Sequence, residues 1–142
     1  MRQLFQKIFA VSFRDWLFFV KAFMLCLFLR VAFLVGSFKG TMRLLSALGE
    51  KNKRSYKERD LAMFKRMIAW SYHFTPVLNC LSISAAYRWL LMRRGIVTEL
   101  KFGVAKEGGK LIAHAWLEHE GMLFSHETHP KRRYIAFEKP IL

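Results

Sequence analysis

Acidic residues are scarce in this chain of 142: ten Asp and Glu stand against 24 Lys and Arg, a formal charge of +14. That imbalance predicts an anionic partner, whether acidic peptide, nucleic acid or phospholipid headgroup. Charge alone does not choose among them. Cysteine is nearly absent as well. Cys26 and Cys80 cannot make a disulfide framework, and two thiols with no regular spacing fit a reducing cytoplasm. No glycine-rich phosphate loop is present, because Gly108-Gly109 reads as a hairpin turn. Metal-ligand spacing is missing too. His119, His126 and His129 crowd the C-terminal end with no second Cys beside them, so neither metal nor cofactor is expected. There is no internal repeat and no low-complexity segment.

What is present is apolar: 54% hydrophobic and 15% aromatic residues exclude disorder, and the length suits one domain with a proper core. The N-terminus carries no convincing secretory signal. Its apolar core Ile8 to Phe13 is short, runs at once into Arg14-Asp15, and leads to no small-residue cleavage site. Trp16 to Val35 is the harder stretch. A bilayer span needs roughly 20 mostly apolar residues. Lys21 and Arg30 interrupt this one, and each basic residue near a span's centre costs about 2.5–3.5 kcal/mol. The run therefore reads as a helix docked on the rest of the protein or lying on a membrane surface. Residues 1–50 form an apolar and basic helical region, and 51–142 the core, together one compact unit.

Within the core, Leu78 to Gly95 reads as one helix with both ends written into it. Asn79 suits the N-cap, Arg93 and Arg94 suit the C-terminal end of the dipole, and Gly95 suits the left-handed residue beyond it. Ile83, Ala86, Tyr87, Leu90 and Leu91 share one face, while Leu81, Ala85, Trp89 and Met92 cover another. A helix apolar on most sides is a central one. Ahead of it, Ser55 to Glu58 has capping-box spacing and opens a helix with Leu61, Phe64, Met67 and Ile68 as its inward stripe. Pro76 breaks the chain between the two helices. His73, near the break, reads as a local structural residue.

After Gly95 the period changes from 3.6 to 2. Ile96, Thr98, Leu100, Phe102 and Val104 alternate as a half-buried strand, and Leu111 to Glu118 is a second strand after the Gly108-Gly109 turn. Met122 to Ser125 begins a third, and Tyr134 to Phe137 closes the set. The expected fold is α+β: N-terminal helices, then a central Cys-bearing helix packed on a small antiparallel sheet.

Cys80 lies in the first turn of the central helix, where the partial positive charge favours an anion. His114 lies in the second strand. A helix-N-terminal Cys and a strand-borne His describe a thiol nucleophile and its base, adjacent in the fold rather than in sequence. Taken singly, each is more often a packed core residue. Together, Cys80-Leu81-x-x-Ser84, then Arg93-Arg94-Gly95-Ile96, then His114-Ala115-Trp116-Leu117-Glu118 and Gly121 resemble the lasso-peptide leader peptidases. The resemblance runs roughly from Asp60 to Glu127. It implies a transglutaminase-like, papain-like core, with Cys80 as nucleophile, His114 as base, and a lasso precursor peptide as substrate. It also implies a separate leader-binding protein and an asparagine-synthetase-like cyclase as partners.

The third catalytic member is a matter of register. If Glu120-Gly121 is a two-residue turn, His119 faces Met122, and counting back sets Glu127 opposite His114. A one-residue bulge would bring His126 there instead. Glu118 shares the His114 face but lies about 13 Å along the strand. The reading is thus a cytoplasmic cysteine peptidase with Cys80, His114 and Glu127 in its site, membrane-surface contact staying open. The alternative is a basic membrane-surface protein without catalysis. A nucleic-acid module lacks support, because the aromatics form core stripes rather than a stacking platform.

Overall fold

A computed structural model describes residues 12–49, 56–74, 77–124 and 134–137. Among the described residues four helices precede a four-stranded sheet, and the composition of the helices shows why they form. Helix α1, Phe13–Val35, runs through 23 residues without Gly or Pro and carries Asp15 in its first turn, where a carboxylate suits the dipole. It stops at Gly36, whose backbone turns extended. Helix α2, Phe38–Gly49, inserts Met42 and Leu45 into the core. Helix α3, Glu58–Tyr72, opens differently from the capping-box expectation. The carboxylate that caps belongs to Asp60, which accepts from the Lys57 backbone N–H at 3.2 Å. Glu58 is merely the first helical residue, and Ser55 lies outside the described residues.

Helix α4, Cys80–Met92, is the centre of the molecule as its all-round apolarity requires. Ile83, Ala85, Ala86, Tyr87 and Leu91 are essentially inaccessible. Ala22, Cys26 and Leu29 of α1 press on it, with Phe64, Met67 and Ile68 of α3 and Leu117 from the sheet completing the cluster. One polar pair runs through this core. The Tyr87 hydroxyl and Ser71 Oγ lie 2.9 Å apart, and Ser71 Oγ also donates to the Met67 carbonyl at 3.0 Å. Burying a tyrosine hydroxyl costs a few kcal/mol unless it finds such a partner, so Ser71 makes Tyr87 admissible there. At the far end Gly95 takes φ +79°, as expected, and Ile96 N–H returns to the Leu91 carbonyl at 3.0 Å.

The sheet has strands β1 (Glu99–Glu107), β2 (Lys110–His119), β3 (Met122–Leu123) and β4 (Ile135–Ala136), all antiparallel in the order β3-β2-β1-β4. Gly108 and Gly109 both have positive φ, so the β1–β2 hairpin is a two-residue turn with Glu107 opposite Lys110. Glu120 and Gly121 repeat the geometry, which pairs His119 with Met122 as the two-residue count requires.

Two strand expectations need correction. The first strand begins at Glu99, not Ile96, because Ile96 to Thr98 still belong to the exit from α4. Its alternation also changes phase. Thr98 is buried as expected, but farther on the buried positions are Gly103 and Ala105 rather than Val104. The indole of Trp116 lies over Gly103 and causes the change: a Cβ built there would come 2.7 Å from the ring. The third strand is formed at Met122–Leu123, Phe124 N–H still bonds to the Leu117 carbonyl, and Ser125 lies outside the described residues.

Candidate active site

The N-terminal end of α4 is held by its own cap. Asn79 Oδ1 accepts from the Ser82 N–H at 2.7 Å, and Ser82 Oγ donates to the Asn79 carbonyl at 3.0 Å. This reciprocal pair fixes the first turn and with it Cys80, which is half-buried as the helix's first residue. One turn on and on the same helix face, Ser84 is buried and its Oγ donates to the Ala115 carbonyl at 3.1 Å. The Tyr72 hydroxyl, at the end of α3, donates to that same oxygen at 3.4 Å. Two helices thus grip β2 at the residue after His114.

That carbonyl lies on the edge of β2 that faces β3. Leu117 O accepts from Phe124 N–H at 2.8 Å, so β3 covers this edge of β2 only as far as Leu117 within the described residues. Alternate residues of a strand direct their carbonyls to the same edge, so Ala115 O points to that edge too, where Ser84 and Tyr72 meet it. A buried carbonyl needs a partner, and Ser84 and Tyr72 supply it.

His114 is partly buried in an aromatic surround. Its ring stacks near Tyr134, with centroids 5.0 Å apart and planes 29° apart, and near Trp116 at 6.2 Å and 16°. Tyr72 stands 6.0 Å away at a tilt. Trp116 is itself fixed, since its Nε1 donates to Glu118 Oε1 at 2.9 Å. Glu118 therefore orients the indole next to the histidine. Gly103, directly opposite His114 in the ladder, is where the indole crosses β1, and the Ile135 carbonyl would sit 2.8 Å from a Cβ there. Only glycine lets Trp116 and β4 approach together.

Of the expected site residues, Cys80 and His114 are described and Glu127 is not; Glu127 and its rival His126 lie outside the described residues. The contacts bring the Cys80 end of α4 to the His114 segment of β2 through Ser84 and Tyr72. Among the described residues the Cys80 thiol makes no hydrogen bond to His114. Sequence reasoning passed over Tyr72, Tyr134 and Gly103. Gly103 alone had a local signal, a glycine inside an alternating strand. The two tyrosines had none, because their roles come from residues 42 and 20 positions away in sequence. Among the remaining histidines, His119 Nδ1 lies 2.7 Å from the Val97 carbonyl, and His73 ends α3 at the surface. Among the described residues no cluster of His, Cys, Asp and Glu has the form of a metal site.

The family model for the transglutaminase-like superfamily matches residues 23–137. The chain belongs to that superfamily. The match starts inside α1 and ends at the last described residue of the sheet region, so the transglutaminase-like domain includes the packing of α1 on α4. No curated protein and no solved structure matches the chain. Membership is consistent with chemistry of the cysteine-peptidase type.

The second cysteine stands apart from this site. Cys26 is fully buried between α1 and the core, and burial pushes its thiol up to about 12 from an ordinary value of 9.0. A thiol held neutral is a poor nucleophile. Of the two cysteines, Cys80 is the one that is partly exposed and stands at a helix end.

Proposed function

We propose that this protein is a cysteine peptidase that removes the leader from a lasso-peptide precursor, with Cys80 as nucleophile and His114 as base. The observation that carries the reading is the double grip of Ser84 and Tyr72 on the Ala115 carbonyl, which fixes the strand of His114 against the helix end of Cys80. In this reaction His114 takes the Cys80 proton, and the thiolate attacks the scissile carbonyl. Backbone N–H groups of the first turn of α4 face the developing oxyanion. The imidazolium returns its proton to the leaving amine, and water then hydrolyses the thioester. The aromatic surround of His114 excludes water from one side of the base and limits its rotation. A protein that presents the leader and a cyclase that consumes the cleaved core peptide belong to the same proposal.

Glu127 is the proposed acid that orients His114. The pairs His119↔Met122 and Glu118↔Leu123 set a count that reaches His114 at Glu127. A ladder in that register would also need the Ala115 carbonyl, which already accepts two hydroxyls, so His126 stays the rival.

The test is cleavage of a precursor peptide by the purified protein with its leader-binding partner, followed by mass spectrometry. Cys80→Ala is expected to lose at least about 10³-fold in rate with an unchanged circular dichroism spectrum. Glu127→Gln is expected to cut the rate sharply and His126→Ala mildly. Retained cleavage in folded Cys80→Ala would refute the peptidase reading, and the reverse ranking of Glu127 and His126 would refute the register.

A further inference from the structure

The outward side of α1 is apolar except at Lys21. Phe13, Leu17, Met24, Phe28, Val31 and Val35 follow one another at helical spacing, with Lys21 filling the single gap. All six are exposed, Phe28 to 67% and Val35 to 86%. At 1.5 Å per residue this stripe is roughly 34 Å long. Soluble monomers seldom show a contiguous apolar patch beyond a few hundred Å². The helix cannot turn to hide it, because the opposite face already holds Ala22, Cys26 and Leu29 in the core.

A second feature adjoins the stripe. Between the first half of α1 and the start of α3 lies a cleft of about 770 Å³, and Leu17 and Lys21 line it as well. Its two carboxylates are taken: Asp15 faces Arg66 at 3.8 Å, and Asp60 faces Arg94 at 3.7 Å. Arg14, Lys21 and Arg59 line the same cleft and have no salt bridge among the described residues.

Apolar surface and uncompensated cations therefore meet along one edge. We propose that α1 docks the protein on an anionic phospholipid bilayer, lying in the plane of the interface with its stripe toward the acyl chains and the cleft cations on the phosphates. A helix with one face apolar and cations at its margin is the form that interfacial binding takes. A second copy of the chain fits this surface poorly, since it would bring a further formal +14 against the same cations. A transmembrane orientation fits poorly too, because it would strip the inner face of α1 from α4.

The experiment is flotation of the full chain with phosphatidylcholine vesicles, made with and without phosphatidylglycerol. The wild type is expected to float with the anionic vesicles and to be released by high salt. Phe28→Glu/Val31→Glu, which removes no core contact, is expected to abolish flotation with an unchanged thermal melt. Arg14→Gln/Lys21→Gln/Arg59→Gln is expected to weaken anionic binding by roughly fivefold for each charge removed. Absence of flotation, indifference to phosphatidylglycerol, or wild-type behaviour of both variants would overturn the proposal. Resistance to carbonate extraction would overturn it in favour of a span. A dimer by light scattering that Phe28→Glu/Val31→Glu disperses, with vesicles ignored, would assign the stripe to a second copy. Selective retention by a protein partner, again with vesicles ignored, would assign it to that partner. Peptide cleavage enters none of these readouts, so the docking and the peptidase readings fail separately.

Discussion

Helix α4 hides Ile83, Ala85, Ala86, Tyr87 and Leu91 almost completely, whereas α1, ten residues longer, buries Ala22, Cys26 and Leu29 and leaves Phe28, Leu34 and Val35 largely in solvent. Both helices are apolar nearly all round. Their difference is positional: α4 has helices on three sides and the sheet on another, while α1 lies at the rim with its inner side against α4 and α3. Each also carries one of the two cysteines, and the same contrast divides them in the opposite sense. The cysteine of the rim helix faces inward and is sealed; that of the central helix stands at its end, where the chain enters from outside. Apolar composition therefore tells which helices associate, and position along a helix tells which thiol is sealed and which is accessible.

The largest test of this contrast is chemical. Iodoacetamide near pH 8 is expected to label Cys80 in the folded protein, whereas Cys26 reacts about 10³-fold more slowly than in the urea-unfolded chain. That factor follows from the change from 9.0 to about 12. Peptide mapping after timed labelling measures it, and rapid labelling of Cys26 would show that the seal of α1 on α4 is loose. The same change carries a pH sign. The folded thiol binds its proton more tightly than the unfolded one, so its contribution to stability is complete below pH 9 and falls as pH rises toward about 12. Urea melts at pH 8 and pH 10 should therefore differ more for the wild type than for Cys26→Ala.

Neighbouring positions on α1 sharpen the comparison further. Leu29→Ala removes a side chain that is 1% exposed, and about 3 kcal/mol of stability is expected to go with it. Phe28→Ala, one residue earlier and on the outer stripe, is expected to change stability by less than about 0.5 kcal/mol. Chemical denaturation of both variants would settle the matter. Equal losses would mean that the outer face of α1 is packed in solution.

A smaller effect is expected at the sheet. Gly103→Ala places a methyl against the Trp116 ring and the Ile135 carbonyl, neither of which can yield without moving the stack on His114. A loss of about 1–3 kcal/mol in stability is expected, with a disproportionate fall in kcat over KM for peptide cleavage. Unchanged kinetics with lowered stability would make the aromatic surround structural only.

Much of this arrangement was legible locally. Asn79 and Gly95 marked the ends of α4, the inward stripe of α3 lay at Phe64, Met67 and Ile68, and two-residue turns at Gly108-Gly109 and Glu120-Gly121 set the strand register. Boundaries were less legible where two local signals competed. Ile96 and Thr98 alternate like strand residues yet belong to the exit from a helix, and Ser55 and Glu58 have box spacing while Asp60 performs the capping. In the first case the Ile96 N–H still bonds back to the Leu91 carbonyl of the helix; in the second Asp60 holds the Lys57 N–H, and Ser55 lies outside the described residues.

The sequence by itself determined the α+β order, the central place of an all-round apolar helix, and the pairing of a helix-first cysteine with a strand-borne histidine as the candidates for chemistry. These follow from periodicity, capping and turn chemistry, which act over a few residues. The tertiary structure decided which face of α1 stays exposed, why Gly103 must lack a side chain, and how Ser84 and Tyr72 come to share one carbonyl. Those outcomes depend on groups brought together from distant parts of the chain. A carbonyl shared by two helices' hydroxyls, or an indole lying across a neighbouring strand, exists only once the elements have packed, so no local pattern could encode it.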